Sequence, residues 1–575
     1  MIIFMHKMWK ILFISILTLV FSISVFFRFF KLGDVPNGLY WDETAMLVDA
    51  QSIAETGKDM HGRPWYQVIY PSYGDYKSPV YIWMAGTSVR VFGSNNFALR
   101  LPSAISGLLT VVVAGLIVRT AISLESNKKV DSFFLHTLTV ATSLIVAISP
   151  WSILFSRTGF EAHLGQLFLA ISILFLLLSK KNCFFAFLSP IFGLLATYSY
   201  FSVRFVWVGI YFLIVILFFI LPIQNKLKTK KVSYTFLKRI LKYILAFFIF
   251  SIGLWPMTHS PLFEESNSFR LSTNSVLQNS TEIVLSNVFR EQAGNTKLDR
   301  IVFHRWILTG KKLLANYSDN MSLNYLFVSG DPNLRHGTGQ HGLFFLVFLP
   351  FFIIGFFTFF KRYPKTLLLF SFWWIIALLP ASVPNTTPHA LRSLNALVPL
   401  AAIIGLGLTV SFQKVLTFSI LKLRISVSVF FIFLLVSLLQ FGHFYFFVYP
   451  ILSFSFWQGG FEELAKATFS SRTQKESVYV LNFDDRFYLW LLAYGSYSSE
   501  KIQLFLHNDF QIRDFDDIFT EHIPTVLATN AIVVGTSDQI ESFVKKEQYQ
   551  IISSQKIMRK NQNSLEIAKV IKNQK

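Results

Sequence analysis

Two adjacent acids, Asp42 and Glu43, follow the first long apolar run of this sequence. The run at 11–30 breaks at Lys31-Leu32-Gly33-Asp34, and Tyr40-Trp41-Asp42-Glu43 comes next. Carboxylates beside a bilayer are costly without a partner or a task, so they mark candidate functional positions. Either acid can accept a proton from a hydroxyl or amine as a general base. The pair also suits a helix start, with Asp42 as cap and Glu43 in the first turn.

Cations recur at the other polar breaks. Lys77 stands just ahead of Pro79, which can open a helix. A lysine there fits a phosphate, which its charge and the free N–H groups of a helix start both attract. It equally fits a snorkelling anchor. Arg157, Glu161 and His163 share one short break between apolar runs. Arg157 and Glu161 are spaced to pair on one helix face, or the group lines a site at a membrane mouth. Arg204 closes another break and suits a lipid headgroup or a phosphate. The segments 330–337 and 384–392, rich in turn formers, carry Arg335, His336, His389 and Arg392. His336, His341 and His389 are the residues a divalent metal would use. No paired ligand spacing accompanies them, so no cofactor is expected, with a divalent metal as the lesser alternative.

These residues need a scaffold, and the composition supplies one. The chain has 575 residues, 53% hydrophobic, 17% aromatic and only 15% charged, with a mean hydropathy of +0.49. Soluble domains carry about 25% charged residues, so this is a polytopic membrane protein. Apolar runs lie at 11–30, 101–122, 134–150, 163–178, 184–201, 205–222, 243–257, 342–360, 366–380, 395–412 and 426–449. They predict about eleven spanning helices. The formal charge of +20 does not point to nucleic acid, because the basic residues sit in short connections rather than in a soluble module. Those connections hold Lys7 and Lys10, Lys128-Lys129, Lys180-Lys181, the stretch 226–242, Lys361-Arg362, and Lys414 with Lys422 and Arg424. With eleven helices all of them fall on one side, which the positive-inside rule makes cytoplasmic. The N-terminus is then cytoplasmic and the C-terminus extracytoplasmic, in the plasma (inner) membrane. No small-residue cleavage site follows the first run, which reads as a retained helix. The single Cys183 excludes an internal disulfide framework and reads as a packing residue inside a helix.

Three outer bodies follow from this topology. The first loop, 31–100, holds a surface helix at 43–56, ended by Gly57, and an interfacial helix at 78–93. The second large loop is 258–341. The tail, 450–575, is expected to be a small α/β domain, with strands at 478–482, 502–507, 531–535 and 549–554 and helices at 487–494 and 538–546. The predicted domains are therefore 1–449, all-α and membrane-embedded, and 450–575.

The Asp42-Glu43 pair after the first helix, Lys77 with Pro79 at a second surface helix, and the run Phe97-Ala98-Leu99-Arg100-Leu101-Pro102-Ser103-Ala104 resemble the polytopic GT-C glycosyltransferases. The nearest branch holds the protein O-mannosyltransferases and the lipid A aminoarabinose transferases, and the resemblance covers about 8–410. It implies a GT-C fold and transfer of a hexose or pentose from a polyprenyl-phosphate donor to a protein, lipid or glycan acceptor on the outer face, with inversion. It places the base on Asp42, its supporting acid on Glu43, a lipid-phosphate contact on Lys77 and a further acid on Glu161. Arg335, His336, His389 and Arg392 follow from the outer loops that frame the family's cavity. With Arg100, Arg157 and Arg204 they complete the expected donor-binding set. The sequence departs from the family at Ala45, where arginine is common, at Ser78, which replaces the first of two prolines, and at Glu161, where aspartate is frequent. A transporter or flippase of polyprenyl-linked glycans is the second reading, but it predicts repeats and mid-bilayer charge, and neither stands out in the sequence. A non-catalytic cell-envelope assembly protein is the third.

Overall fold

The computed structural model describes residues 2–126, 130–221, 234–278, 280–417, 419–473, 476–481, 483–506, 514–520, 527–528, 531–559 and 564–572. Lys128-Lys129 and the part of the basic stretch at 226–233 lie outside them. The chain divides into two units. One comprises Met1–Phe30, Ser103–Ser156 and Glu161–His443; the other comprises Lys31–Pro102, Arg157–Phe160 and Phe444–Lys575.

The first unit is helical. Among the described residues, six helices are long and apolar enough to cross a membrane: Asn96–Glu125, Val203–Ile220, Ile240–Thr258, Pro364–Ser382, Ala390–Val415 and Leu421–Leu452. Four shorter apolar helices are Phe13–Phe29, Ser132–Ile148, Ala162–Leu178 and Phe184–Ser199. Each apolar run of the sequence lies on one of these or on Leu349–Arg362. The protein is thus an integral membrane protein built mostly from helices. In an apolar solvent such helices associate by close packing, which small residues permit. Gly355 and Gly407 do this between Leu349–Arg362 and Leu397–Val415: a Cβ on either would overlap the carbonyl oxygen of Ile403 or Phe351.

Backbone groups without partners are repaired by charged side chains. Pro150 has no N–H to offer Val146, and the N–H of Trp151 turns instead to Leu343 O, at 3.3 Å. Arg28, fully buried in the first helix, donates to the two carbonyls so exposed, Ala147 O at 3.0 Å and Val146 O at 3.2 Å. It also reaches Ser152 Oγ at 2.8 Å. At another helix start, the Glu125 carboxylate accepts from the N–H groups of Lys365 and Thr366, both at 2.8 Å, as the positive end of a helix favours. The segment 258–341, expected only as a loop, is largely helical: Pro261–Asn274, Ser280–Ala293, Lys297–Val302, Arg305–Met321 and Leu323–Phe327. Cys183 is exposed and precedes Phe184–Ser199 rather than packing within it.

The second unit joins the first outer loop to the C-terminal segment, across the boundary the sequence suggested at 449/450. Its elements include the helices Trp41–Thr56 and Pro79–Phe92 and the hairpin of β1 (Tyr70–Ser72) and β2 (Asp75–Lys77). Further along come the helices Phe461–Ser471, Tyr488–Tyr494, Ser499–Leu506 and Ser537–Glu547. The strands β3 (Val478–Val480), β4 (Asp514–Phe515), β5 (Ile518–Phe519), β6 (Ala531–Thr536), β7 (Tyr549–Ile557) and β8 (Leu565–Lys572) form a mixed sheet in the order β4-β5-β3-β6-β8-β7. Ala45, Val48 and Met60 share one core with Phe461, Leu464, Leu489, Trp490 and Ile532. The helix Trp41–Thr56, expected on a surface, is therefore enclosed: every residue from Glu43 to Ala50 is buried. Segment 502–507 is not a strand. Through residue 506 it is helical, with Ile502 and Leu506 buried four residues apart on one face, and His507 lies outside the described residues.

Candidate active site

The sequence-predicted site residues fall into two groups. Asp42, Glu43, Lys77, Arg100 and Arg157 belong to the second unit, and Glu161, Arg204, Arg335, His336, His389 and Arg392 to the first.

In the second unit the helix Trp41–Thr56 starts from Tyr40, not from Asp42. Glu43 stands three residues in and accepts the Tyr40 N–H at 3.2 Å. It is fully buried. Its oxygens also receive Arg100 Nε at 3.0 Å, Arg100 Nη2 at 3.1 Å and the Gly159 N–H at 2.5 Å. The rest of the Arg100 guanidinium reaches Pro36 O at 3.0 Å and Gly38 O at 2.6 Å. Arg157, equally buried, donates to Lys31 O at 2.9 Å and Val35 O at 3.1 Å and lies over the rings of Tyr445 and Phe446. An irregular segment such as 31–38 leaves carbonyls unpaired, and buried carbonyls need donors. Arg100 and Arg157, expected to bind the donor, here hold that segment, and Glu43 holds Arg100.

Asp42 differs from its neighbour. Its side chain is 23% exposed, and its Oδ1 receives Lys77 Nζ and the Tyr73 hydroxyl. The hairpin explains why these meet. Ser72 pairs with Asp75, leaving a two-residue turn of Tyr73 and Gly74. Both turn residues have positive φ, 25° and 83°, as a tight hairpin turn demands. Alternate residues on a strand share a face, so Asp75 and Lys77 emerge together, and Asp75 Oδ2 lies 3.0 Å from Lys77 Nζ. Lys77 is only 6% exposed, between two carboxylates. Burial and the Asp42 carboxylate push the Tyr73 phenol well above its ordinary range, so it remains a hydrogen-bond donor. Tyr73 and Asp75 are not among the sequence-predicted site residues. The Tyr-Gly turn between short polar strands is the signal that would have found them.

In the first unit, Glu161 precedes the helix Ala162–Leu178 and its carbonyl accepts the Gly165 N–H at 3.0 Å. Residues 157–160 are not helical, so Arg157 and Glu161 do not share one helix face. Arg204 lies over the rings of Phe201 and Phe263, at 4.6 and 5.5 Å. The rings of His336 and His389 stack at 4.4 Å, and His336 Nδ1 lies 3.7 Å from Asp331 Oδ2. Burial, then the neighbouring guanidiniums of Arg335 and Arg392, hold His336 down to about 3. Asp331, absent from the predicted site residues, is pushed up to about 6 by burial.

No family model and no curated protein matches the sequence. Among solved structures, archaeal oligosaccharyltransferase AglB from Archaeoglobus fulgidus, in complex with an inhibitory peptide and a dolichol-phosphate, is 12% identical. The match covers 92% of this chain and 69% of that one at a TM-score of 0.47. ArnT from Cupriavidus metallidurans, bound to undecaprenyl phosphate, is 11% identical. That match covers 97% of this chain and 98% of the other, at a TM-score of 0.49. No residue of this chain takes a role from such distant likenesses. The chain is similar in fold, along nearly its whole length, to ArnT and, over most of it, to archaeal oligosaccharyltransferase AglB.

Proposed function

We propose that the protein transfers a sugar from a polyprenyl-phosphate donor to an acceptor at the outer face of the membrane, with Asp42 as general base. The observation that carries this reading is the Asp42–Lys77 contact beside a second carboxylate, Asp75. Neighbouring Glu43, by contrast, is locked to Arg100.

The chemistry follows from that arrangement. The bond from the sugar C1 to the phosphate oxygen breaks, and a bond from C1 to the acceptor oxygen or nitrogen forms. The acceptor's proton passes to Asp42, and the leaving polyprenyl phosphate keeps the bonding electrons. Lys77 stabilises the negative charge that develops on that phosphate. In the resting state Lys77 is neutralised by carboxylates, so a phosphate must take one of their places. Its arrival draws Lys77 from Asp42 and leaves the carboxylate ready for a proton. Glu43, Arg100 and Arg157 are positioning residues in this scheme. Their network fixes the segment leading into the helix on which Asp42 sits. The apolar helices receive the lipid tail, whose burial favours recruitment. The orientation is that given by the basic connections, with the N-terminus cytoplasmic and Asp42 outside.

The test is turnover by the purified full-length protein in detergent with short polyprenyl-phosphate sugars and peptide, lipid and glycan acceptors. Product formation by wild type, lost in a folded Asp42→Asn variant, supports the reading. Equal product from both removes Asp42 from the chemistry. No turnover of any donor, with donor binding intact, favours transport.

A further inference from the structure

The first unit holds a group to which the proposed chemistry assigns no step. Residues 330–337 and the turn before the helix Ala390–Ser393 bring Asp331, His336 and His389 together. One ligand-type atom from each lies within 4.8 Å of the others. All three line a cavity of about 440 Å³, shared with Lys312, Asn333 and Thr387. His389 is 9% exposed, and among the described residues its buried Nδ1 has no hydrogen-bond partner. A buried polar atom left in this way calls for an explanation.

The donor set supplies one. Two imidazoles and a carboxylate are the protein ligands of zinc sites that keep a fourth position open, and of related transition-metal centres. Such sites need their ligands held from behind, and these are. The Asp331 oxygens accept the N–H groups of Asn333 at 2.9 Å and Ala390 at 2.8 Å. The His389 backbone N–H is fixed on Asn320 Oδ1 at 3.0 Å. We propose that Asp331, His336 and His389 form a binding site for a divalent transition metal, zinc by preference. Arg335 and Arg392 stand close to the two imidazoles and oppose a dication held by charge alone. A hard, oxygen-seeking ion such as magnesium or calcium is therefore disfavoured, and an ion that bonds strongly to nitrogen is favoured. The site is independent of the transferase reading and stands or falls separately.

The experiment uses the full-length protein in detergent, stripped with chelator and then titrated with cobalt(II), whose visible bands report nitrogen and oxygen ligation. One equivalent of cobalt is expected to bind, to be displaced by zinc and to survive excess magnesium. His389→Ala and His336→Ala are expected to weaken binding by at least about 100-fold, and Asp331→Asn by about 10-fold or more. Melting and gel filtration of each variant verify folding. Should His389→Ala fail to fold, His336→Gln, altered at a partly exposed ring, carries the test. No visible band in wild type, or a full equivalent retained in the folded histidine variants, overturns the site.

Discussion

Buried charge is handled differently in the two units. In the helical unit, Arg28 and Glu125 meet backbone: the arginine takes carbonyls orphaned by Pro150, and the glutamate takes N–H groups at a helix start. In the second unit, Arg100 and Glu43 meet each other first, and their remaining capacity pins loop carbonyls and amides. A helix inside a membrane must satisfy every backbone group within the protein, so its buried ions serve the backbone. A loop-rich body has free carbonyls in irregular places, and a paired network holds them in one arrangement. That fixed arrangement lets Asp42, one residue before Glu43, stay partly exposed.

Breaking one partner of the Glu43–Arg100 pair is the harshest test of this contrast. Arg100→Met leaves a buried carboxylate uncompensated, at a cost of about 3–5 kcal/mol. Glu43→Gln strands the guanidinium similarly. Thermal melting in detergent checks both, and the double variant is expected to recover part of the loss. Retained stability in the single variants would mean that water reaches the pair. Arg28→Leu ranks next. It leaves two carbonyls without donors, each worth about 1–3 kcal/mol, and a charge substitution elsewhere should not rescue it. A compensating charge change that restored stability would contradict the backbone role.

A smaller effect sharpens the comparison within one helix. Asp49 lies on Trp41–Thr56 with Glu43 and is as fully buried, yet it has no salt-bridge partner among the described residues. Its Oδ1 accepts only the Met60 N–H, at 3.0 Å. Burial, and then Asp59, raise it well above the usual carboxylate range. The folded form therefore holds a proton that the unfolded chain releases above about pH 4. The stability this contributes is complete below that pH and falls as pH rises towards the folded value. Asp49→Asn keeps the acceptor for Met60 and removes the titration. Its melting temperature should decline less than that of wild type between about pH 5 and pH 8. Parallel declines would show that Asp49 is ionised when folded.

How much of this was legible in the sequence depended on separation along the chain. The helix carrying Asp42 and its end at Gly57 could be read, because apolar spacing and a left-handed glycine are local signals. Gly57 has φ 72°. The partner of Glu43 could not, since Arg100 is 57 residues away and every cation near a membrane reads as a possible phosphate contact. Arg28 was hidden inside an apolar run, where only the geometry at Pro150 explains it. In the C-terminal segment, helical burial of Ile502 and Leu506 overrode an apolar pattern short enough to fit a strand. β8, which pairs along its length with β6 and β7, is not among the strands read from the sequence.

The most direct test of the central claim separates proton transfer from donor binding. Turnover and donor affinity are measured on one preparation each of wild type, Asp42→Asn and Lys77→Met. Asp42→Asn should lose about 10²–10⁴-fold in kcat with donor affinity kept or increased, because Lys77 is released from its carboxylate. Lys77→Met should lose donor affinity. Unchanged kcat in folded Asp42→Asn, with Lys77→Met binding donor as wild type does, would contradict the account.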